Sequence, residues 1–209
     1  DKEISKKLFI KNKIKTPKFF TYSYEITKSN LIEKINKDLR FPVVIKPLNE
    51  GSSVNVFITN KKTLDKILYK LKVYKKVLIE EFIGGREIQV AIMGDKKLGA
   101  IELKPKRKFY DYQAKYDSKS KTQHIIPVDL PKSKFNKVMD IAYKAHKIIG
   151  CRGVTRSDFK FFNGNFYLLE LNTQPGMTKL SLVPEIALYK GISFLKLIEW
   201  MLKDASKKK

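Results

Sequence analysis

Cysteine is nearly absent from this 209-residue chain: Cys151 stands alone and can form no internal disulfide, which suits a reducing compartment. Long apolar runs are missing as well. No stretch approaches the ~18 consecutive apolar residues that a membrane span needs, and the opening residues DKEISKKLFIKNK hold no apolar segment fit for a secretory signal. A cytoplasmic protein with no membrane partner is therefore expected. Arginine is scarce, with five residues against 39 lysines. The net charge of +23 invites a nucleic-acid partner. Forks onto bases and phosphates favour arginine, however, and no run alternates basic residues with stacking aromatics. The lysines are spread along the chain, so they read as a solvated basic surface that favours anionic small molecules. No nucleic-acid partner is expected, and a basic nucleic-acid-binding module is the minor alternative. No internal repeat is found.

What is present is enough for one large domain or two small ones, with 43% apolar residues to build a packed core. Asp1 can cap a first helix with Ile4, Leu8 and Phe9 on one face. Lys15-Thr16-Pro17 breaks it and leads into the apolar Phe19 to Tyr22. A second helix is expected near Ser29 to Asn36. The β-branched run Phe41 to Lys46 reads as a buried strand, Asn49 to Ser53 as a turn and Val54 to Ile58 as another strand. A helix from about Thr63 to Leu71 and the strand KVLIEEFI follow. From Glu87 the pattern shifts to antiparallel sheet, with EIQVAIM and KLGAIEL joined at Gly94-Asp95. The polar stretch from about Lys106 to Lys121 is too long for a tight turn and reads as a mobile surface loop. A helix over about Ser133 to Ile149, closed by Gly150, precedes a hairpin, and a last helix runs from Ser193 to about Lys203. The pattern predicts an α+β fold: a small α/β subdomain over residues 1–86 and a larger one over 87–209, built on an antiparallel sheet and helices. Nucleotides often bind where two such layers meet.

Three constellations carry chemistry. The first is GVTRSDFKFFNGNFYLLELNTQPGMTKLSLVP, Gly153 to Pro184. Asp158, Glu170 and Asn172 offer hard oxygen ligands of the kind magnesium takes alongside phosphate and water. Glu170 and Asn172 share a strand face because they are two apart. A strict two-residue turn at Asn163-Gly164 pairs Asp158 with Leu169 and puts Glu170 on the opposite face. A longer loop or a bulge would set Asp158 across from Glu170, so a metal site requires one of these. Ordinary surface carboxylates are the alternative. The second constellation, Lys46 to Ser53, is a turn of small residues after a strand-end lysine. It suits phosphate oxygens but lacks the GxxxxGK[ST] spacing of a P-loop; a plain polar hairpin turn is the alternative. The third, Phe109 to Tyr116, sets four aromatics in a loop without apolar periodicity. It is either a lid over a ligand or an adhesive surface loop.

Together these segments resemble the D-alanine–D-alanine ligases of the ATP-grasp superfamily. The matching stretches are DKEISKKLF, FPVVIKPLNEGSSV, LIEEFIGGREIQVAI, FYDYQAKY, GVTRSDF and YLLELNTQPGMTKLSLVP, in the family's order and over nearly the whole chain. The resemblance implies an ATP-grasp fold and transfer of the ATP γ-phosphate to the carboxylate of one D-alanine. The amine of a second D-alanine then displaces phosphate from the acyl phosphate, giving the dipeptide for peptidoglycan synthesis. By motif, Lys2 and Lys46 would contact the nucleotide phosphates and Lys115 the γ-phosphate. Glu80, Glu81, Phe82 and Ile83 would line the adenine pocket, with Glu87 on the ribose. Asp158, Glu170 and Asn172 would bind Mg2+ or Mn2+. Arg156 and the backbone N–H of Gly176 would stabilise the oxyanion, Tyr116 and Ser52 would close the lid, and Ser181 and Leu182 would hold the second carboxylate. An ATP-grasp ligase with another acceptor is the runner-up. The tyrosine-bearing lid resembles that of the dipeptide-forming members rather than the D-lactate-using ones. A homodimer is implied by the resemblance alone.

Two departures from the family pattern stand out. Asn55 replaces the glycine that usually follows GSSV; asparagine also tolerates a left-handed backbone. Members of the family carry a further N-terminal α/β domain that supplies part of the D-alanine site, so this chain is expected to be the ATP-grasp portion alone. His146 and His124 are assigned structural roles, the former partly exposed, and Cys151 has no histidine nearby in sequence to activate it.

Overall fold

The computed structural model describes residues 1–104, 122–178 and 180–207. The elements run α1 (Lys2–Lys11), β1 (Phe19–Ser23), α2 (Lys28–Asp38), β2 (Val43–Pro47), β3 (Phe57–Thr59), α3 (Leu64–Leu71), β4 (Lys76–Glu81), β5 (Arg86–Met93), β6 (Lys96–Lys104), β7 (Gln123–Ile125), α4 (Lys132–Ile148), β8 (Val154–Phe162), β9 (Asn165–Asn172), α5 (Leu182–Tyr189) and α6 (Phe194–Ala205). They build two antiparallel sheets, ordered β1-β4-β2-β3 and β7-β6-β5-β8-β9. Among the described residues no helix is long and apolar enough to cross a membrane.

In the first sheet strand parity separates core from cleft. Val43, Ile45, Val77 and Ile79 pack with Leu31 and Ile35 of α2 and Leu64, Leu68 and Leu71 of α3. Their neighbours Val44, Lys46, Leu78 and Glu80 point the other way because successive side chains alternate across a strand. Val44 lies opposite Glu80, and Lys46 opposite Leu78. The β3 strand begins three residues later than its apolar run suggests. Ser52, Ser53 and Asn55 all have positive φ, and such a run of left-handed residues cannot be pleated.

The second sheet is covered on both faces, which is why β5 and β6 read as nearly continuous apolar runs. One face carries Ile88, Val90, Phe159, Phe166 and Leu168 against Val138, Met139, Ala142 and Ala145 of α4. The other carries Ala91, Met93, Ile101 and Val154 against Leu182, Val183 and Ile186 of α5 and Leu197 of α6. Further along this second face the side chains turn polar: Gln89 lies opposite Asp158, and Glu87 opposite Lys160. The apolar rows sit under α5, and the polar rows floor a cleft.

Three sequence expectations need correction. Asp1 does cap α1 by accepting from the Ile4 backbone N–H, but Ile4 is 61% exposed, and the inward face is Lys6 and Phe9. Phe9 and Ile14 join the α4 side of the second sheet's core, although both precede the first sheet in sequence. His146 is fully buried rather than partly exposed, with Nδ1 2.8 Å from Thr155 Oγ1. Burial, with Lys147 adding to it, pushes its imidazole below the usual value. His124 bridges β7 to α5 at 2.7 Å from Glu185 Oε2, and burial raises the Cys151 thiol, which makes it less reactive.

Candidate active site

The hairpin of β8 and β9 settles the placement of the carboxylates. Asn163 and Gly164 both have positive φ and form a two-residue turn, with Phe162 paired to Asn165. Strict pairing continues to Phe159 opposite Leu168. A bulge then inserts Leu169, and Asp158 falls opposite Glu170 and Arg156 opposite Asn172. The bulge, not a longer loop, meets the requirement. It also changes the face on which even-numbered residues appear: Phe166 and Leu168 enter the α4 side of the core, whereas Glu170 and Asn172 join the cleft side.

Asp158 is 6% exposed and gripped by a fork from its own strand. Arg156 Nε donates to Oδ1 at 2.7 Å and Nη2 to Oδ2 at 2.9 Å, while Asn172 Nδ2 donates to Oδ2 at 3.3 Å. A carboxylate has about four acceptor sites, so these three bonds leave it capacity for a cation. Two carboxylates and an amide oxygen fit magnesium or manganese, which complete their shells with phosphate and water. Among the described residues no three His, Cys, Asp or Glu side chains converge as a self-sufficient metal cage. Such a site needs the ligand's own oxygens.

The facing wall is cationic. Lys46 Nζ lies 2.5 Å from Glu80 Oε1, and Lys6 Nζ lies 2.9 Å from Oε2. All three residues are at most 5% exposed. Burial works against the Glu80 charge, but the two ammonium groups outweigh it and hold the carboxyl below its usual range. Burial pushes Lys6 down to about 8, with Glu80 opposing. Lys2, also lowered by burial, donates its ammonium to the carbonyl of Glu50, and its backbone N–H donates to Leu48 O at 3.1 Å. The start of α1 is thereby tied to the turn after β2. Within that turn Ser52 is exposed, and Asn55 takes the left-handed backbone with φ +55°. Asn55 Nδ2 donates to Tyr74 Oη at 2.8 Å, and Tyr74 donates to Glu50 Oε1 at 3.1 Å.

Lys2, Lys46, Glu80, Glu81, Phe82, Ile83, Glu87, Asp158 and Glu170 line one cleft that is open to solvent. Lys2, Glu50 and Glu170 also line a second cavity, bounded by Asp1, Asn49, Gly51, Asn172 and Gln174. Gly176 and Ser181 form a separate pair beside α5. A side chain at Gly176 would come within 2.9 Å of Ser181 Oγ, which accepts from the Thr178 backbone N–H at 3.0 Å. The Leu182 side chain is buried in the core under α5, so only its backbone could serve a ligand. Lys115 and Tyr116, with the rest of the expected lid, lie outside the described residues.

Sequence reasoning missed Lys6 and Lys160. Lys6 sits four residues after Lys2 and three before Phe9, on one helical face, but apolar periodicity alone does not flag a lysine. Lys160 shares strand parity with Arg156 and Asp158, and its Nζ lies 3.1 Å from Glu87 Oε2 at the cleft floor.

Two sheets closing on a cleft, with ammonium groups on one wall and oxygen ligands on the other, define an ATP-grasp fold. The chain belongs to the D-alanine–D-alanine ligase family: residues 8–203 match the family described as D-ala D-ala ligase C-terminus. It is 69% identical over 206 residues to the D-alanine–D-alanine ligase of Pelagibacter ubique (strain HTCC1062), covering 99% of this chain and 68% of that protein. With the Wolbachia pipientis wMel ligase it shares 39% over 210 residues, covering 98% and 65%. The crystal structure of the Bacillus anthracis D-alanine–D-alanine ligase superposes with a TM-score of 0.84 at 32% identity, over 98% of this chain and 66% of that one. The same enzyme complexed with ATP gives 0.81 at 28%, over 98% and 65%. The chain thus spans about two thirds of the length of these relatives.

Proposed function

We propose that the chain is the ATP-grasp part of an ATP-dependent D-alanine–D-alanine ligase, which makes the dipeptide for peptidoglycan synthesis. The observation that carries this reading is the bulge at Leu169, which brings Asp158 and Glu170 together in the cleft that Lys46 and Lys2 line from the other side. The sheet of β1 to β4 supplies one wall and the sheet of β5 to β9 the other, with α1 packed on the second.

A carboxylate is a poor electrophile until one of its oxygens becomes part of a leaving group. In the first step a carboxylate oxygen of one D-alanine attacks the γ-phosphorus of ATP, and the bond to the ADP oxygen breaks. In the second the amine of another D-alanine attacks the acyl carbon. The new C–N bond forms, the C–O bond to phosphate breaks, and the amine loses a proton. The protein's contribution is positioning and charge stabilisation. Lys46 and Lys2 hold phosphate oxygens, Glu81, Phe82 and Ile83 enclose the base, and Glu87 takes the ribose. A divalent cation on Asp158, Glu170 and Asn172 would offset charge on the phosphates. Arg156 and the Gly176 N–H receive the oxyanion, Ser181 and the Leu182 backbone hold the second carboxylate, Lys115 would meet the γ-phosphate, and Tyr116 with Ser52 would close the site.

Calorimetric titration of the chain with Mg2+-ATP tests the nucleotide site. Binding is expected, with Asn172→Ala weakening the Mg2+-dependent part, and absence of binding overturns the reading. Phosphate release that depends on D-alanine, profiled against hydroxy-acid acceptors, tests the reaction. A hydroxy-acid preference would overturn the dipeptide assignment while leaving the ATP site standing.

A further inference from the structure

Lysine is almost never fully buried unless it is paired, yet Lys6 is 1% exposed in a position that none of the roles above requires. Its helix belongs by packing to the second sheet, because Phe9, one turn further on, lies in that sheet's core. Its partner Glu80 belongs to β4, in the first sheet. Lys6 Nζ also donates to Thr16 Oγ1 at 2.6 Å, and Thr16 Oγ1 donates to the Leu168 carbonyl of β9 at 2.7 Å. A continuous path of polar contacts therefore runs from buried Lys46, Glu80 and Lys6 through half-buried Thr16 to β9, ending two residues before Glu170.

The charges along this path matter as much as its geometry. A buried lysine alone with one carboxylate forms a neutral pair, and its charge is largely used up by that partner. Here one carboxylate is shared by two ammonium groups, so the cluster keeps a net positive charge on the wall that faces the cleft. With Lys6 absent, Glu80 would have Lys46 to itself on both oxygens.

We propose that Lys6 is a positioning residue for the nucleotide: it neutralises Glu80 and anchors it to β9 through Thr16. The charge of Lys46 is thereby left to a phosphate and held at a fixed distance from Glu170. This rests on the nucleotide site proposed above and adds a residue and a charge arrangement to it.

The test measures binding of ADP and of adenosine, both with Mg2+, to the unaltered chain and to Lys6→Met, Lys46→Met and Thr16→Val. Lys6→Met is expected to weaken ADP binding by about tenfold, the loss of one charge-assisted contact, and to leave adenosine binding unchanged. Thr16→Val, which keeps every charge and cuts only the tie to β9, is expected to act on ADP in the same direction by about threefold. Equal losses for ADP and adenosine would reduce Lys6 to a structural residue and overturn the proposal. So would an unchanged ADP affinity in Lys6→Met or, if that variant does not fold, in Thr16→Val. Lys46→Met separates the two levels. If it weakens ADP while Lys6→Met does not, only the role of Lys6 falls. If Lys46→Met is silent, or the unaltered chain binds no ADP, the phosphate site itself falls.

Discussion

The two walls of the cleft each hold a buried carboxylate in cationic hands, and they do so by different means. Asp158 is held by Arg156, two residues away on the same strand, in a bidentate fork. Glu80 is held by Lys46, 34 residues earlier, and by Lys6 from a helix that packs on the other sheet. The first is a local arrangement that β8 carries with it. The second exists only once both sheets are in place. Burial of a carboxylate thus serves two ends in one site: Asp158 is oriented by its own strand, and Glu80 joins the lobes.

This contrast is most sharply broken by paired charge removals. Glu80→Gln leaves two ammonium groups facing each other out of water, and breaking a buried pair in this way costs about 3 kcal/mol or more. A large drop in the denaturation midpoint is expected; a drop no larger than that of Asp158→Asn would erase the distinction between the walls. Gly85, in the link from the first sheet to the second, has φ +84°, and a Cβ there would meet Phe161 O at 2.3 Å. Gly85→Ala is therefore expected to cost about 2 kcal/mol, measurable by urea denaturation. Asp158→Asn keeps an acceptor for Arg156 and is expected to lose only about 1 kcal/mol, while Mg2+-dependent nucleotide binding falls much further.

Acid offers a gentler probe. The folded Glu80 carboxyl lies below its unfolded value, so the unfolded chain binds the proton more readily. Its contribution is fully present above the ordinary value of 4.5 and is lost as pH falls through the folded value. Denaturation midpoints should decline in that window, with a shallower decline in Glu80→Gln. The smallest effect is expected at the exposed pair Lys34–Asp38 on α2: Lys34→Ala should leave the midpoint unmoved.

The same contrast explains what the sequence could disclose. On β8 and β9 the need for one irregularity was readable, because strand parity shows that a strict two-residue turn would part Asp158 from Glu170; that the irregularity is a bulge at Leu169, and that Lys160 reaches Glu87, was not. The left-handed residue at Asn55 was readable only through the resemblance, which has glycine there, together with the tolerance of asparagine for that backbone. Lys6 was not, because a lysine in a helix is ordinarily solvated and only the approach of β4 converts it into a buried partner. For the same reason Ile4, a good core candidate by type, faces outward while Lys6 faces in. His146 was misjudged because lysines beside it in sequence point to solvent, whereas its own side chain meets Thr155 beneath α4. Short β7 carries no apolar signal and forms only by pairing with the end of β6.

The extra residue in β9 has a consequence for how this chain can change. Along most of a strand a substitution alters one side chain and leaves its neighbours in place. Across Leu169 a change of length would do more. Inserting one residue between Leu169 and Glu170 would carry Glu170 and Asn172 into the oily side of the sheet and present Leu171 to the cleft. The composition of the hairpin can drift, and the tip at Asn163-Gly164 can vary, but the count of residues from the bulge to the ligands behaves as a reading frame for the site.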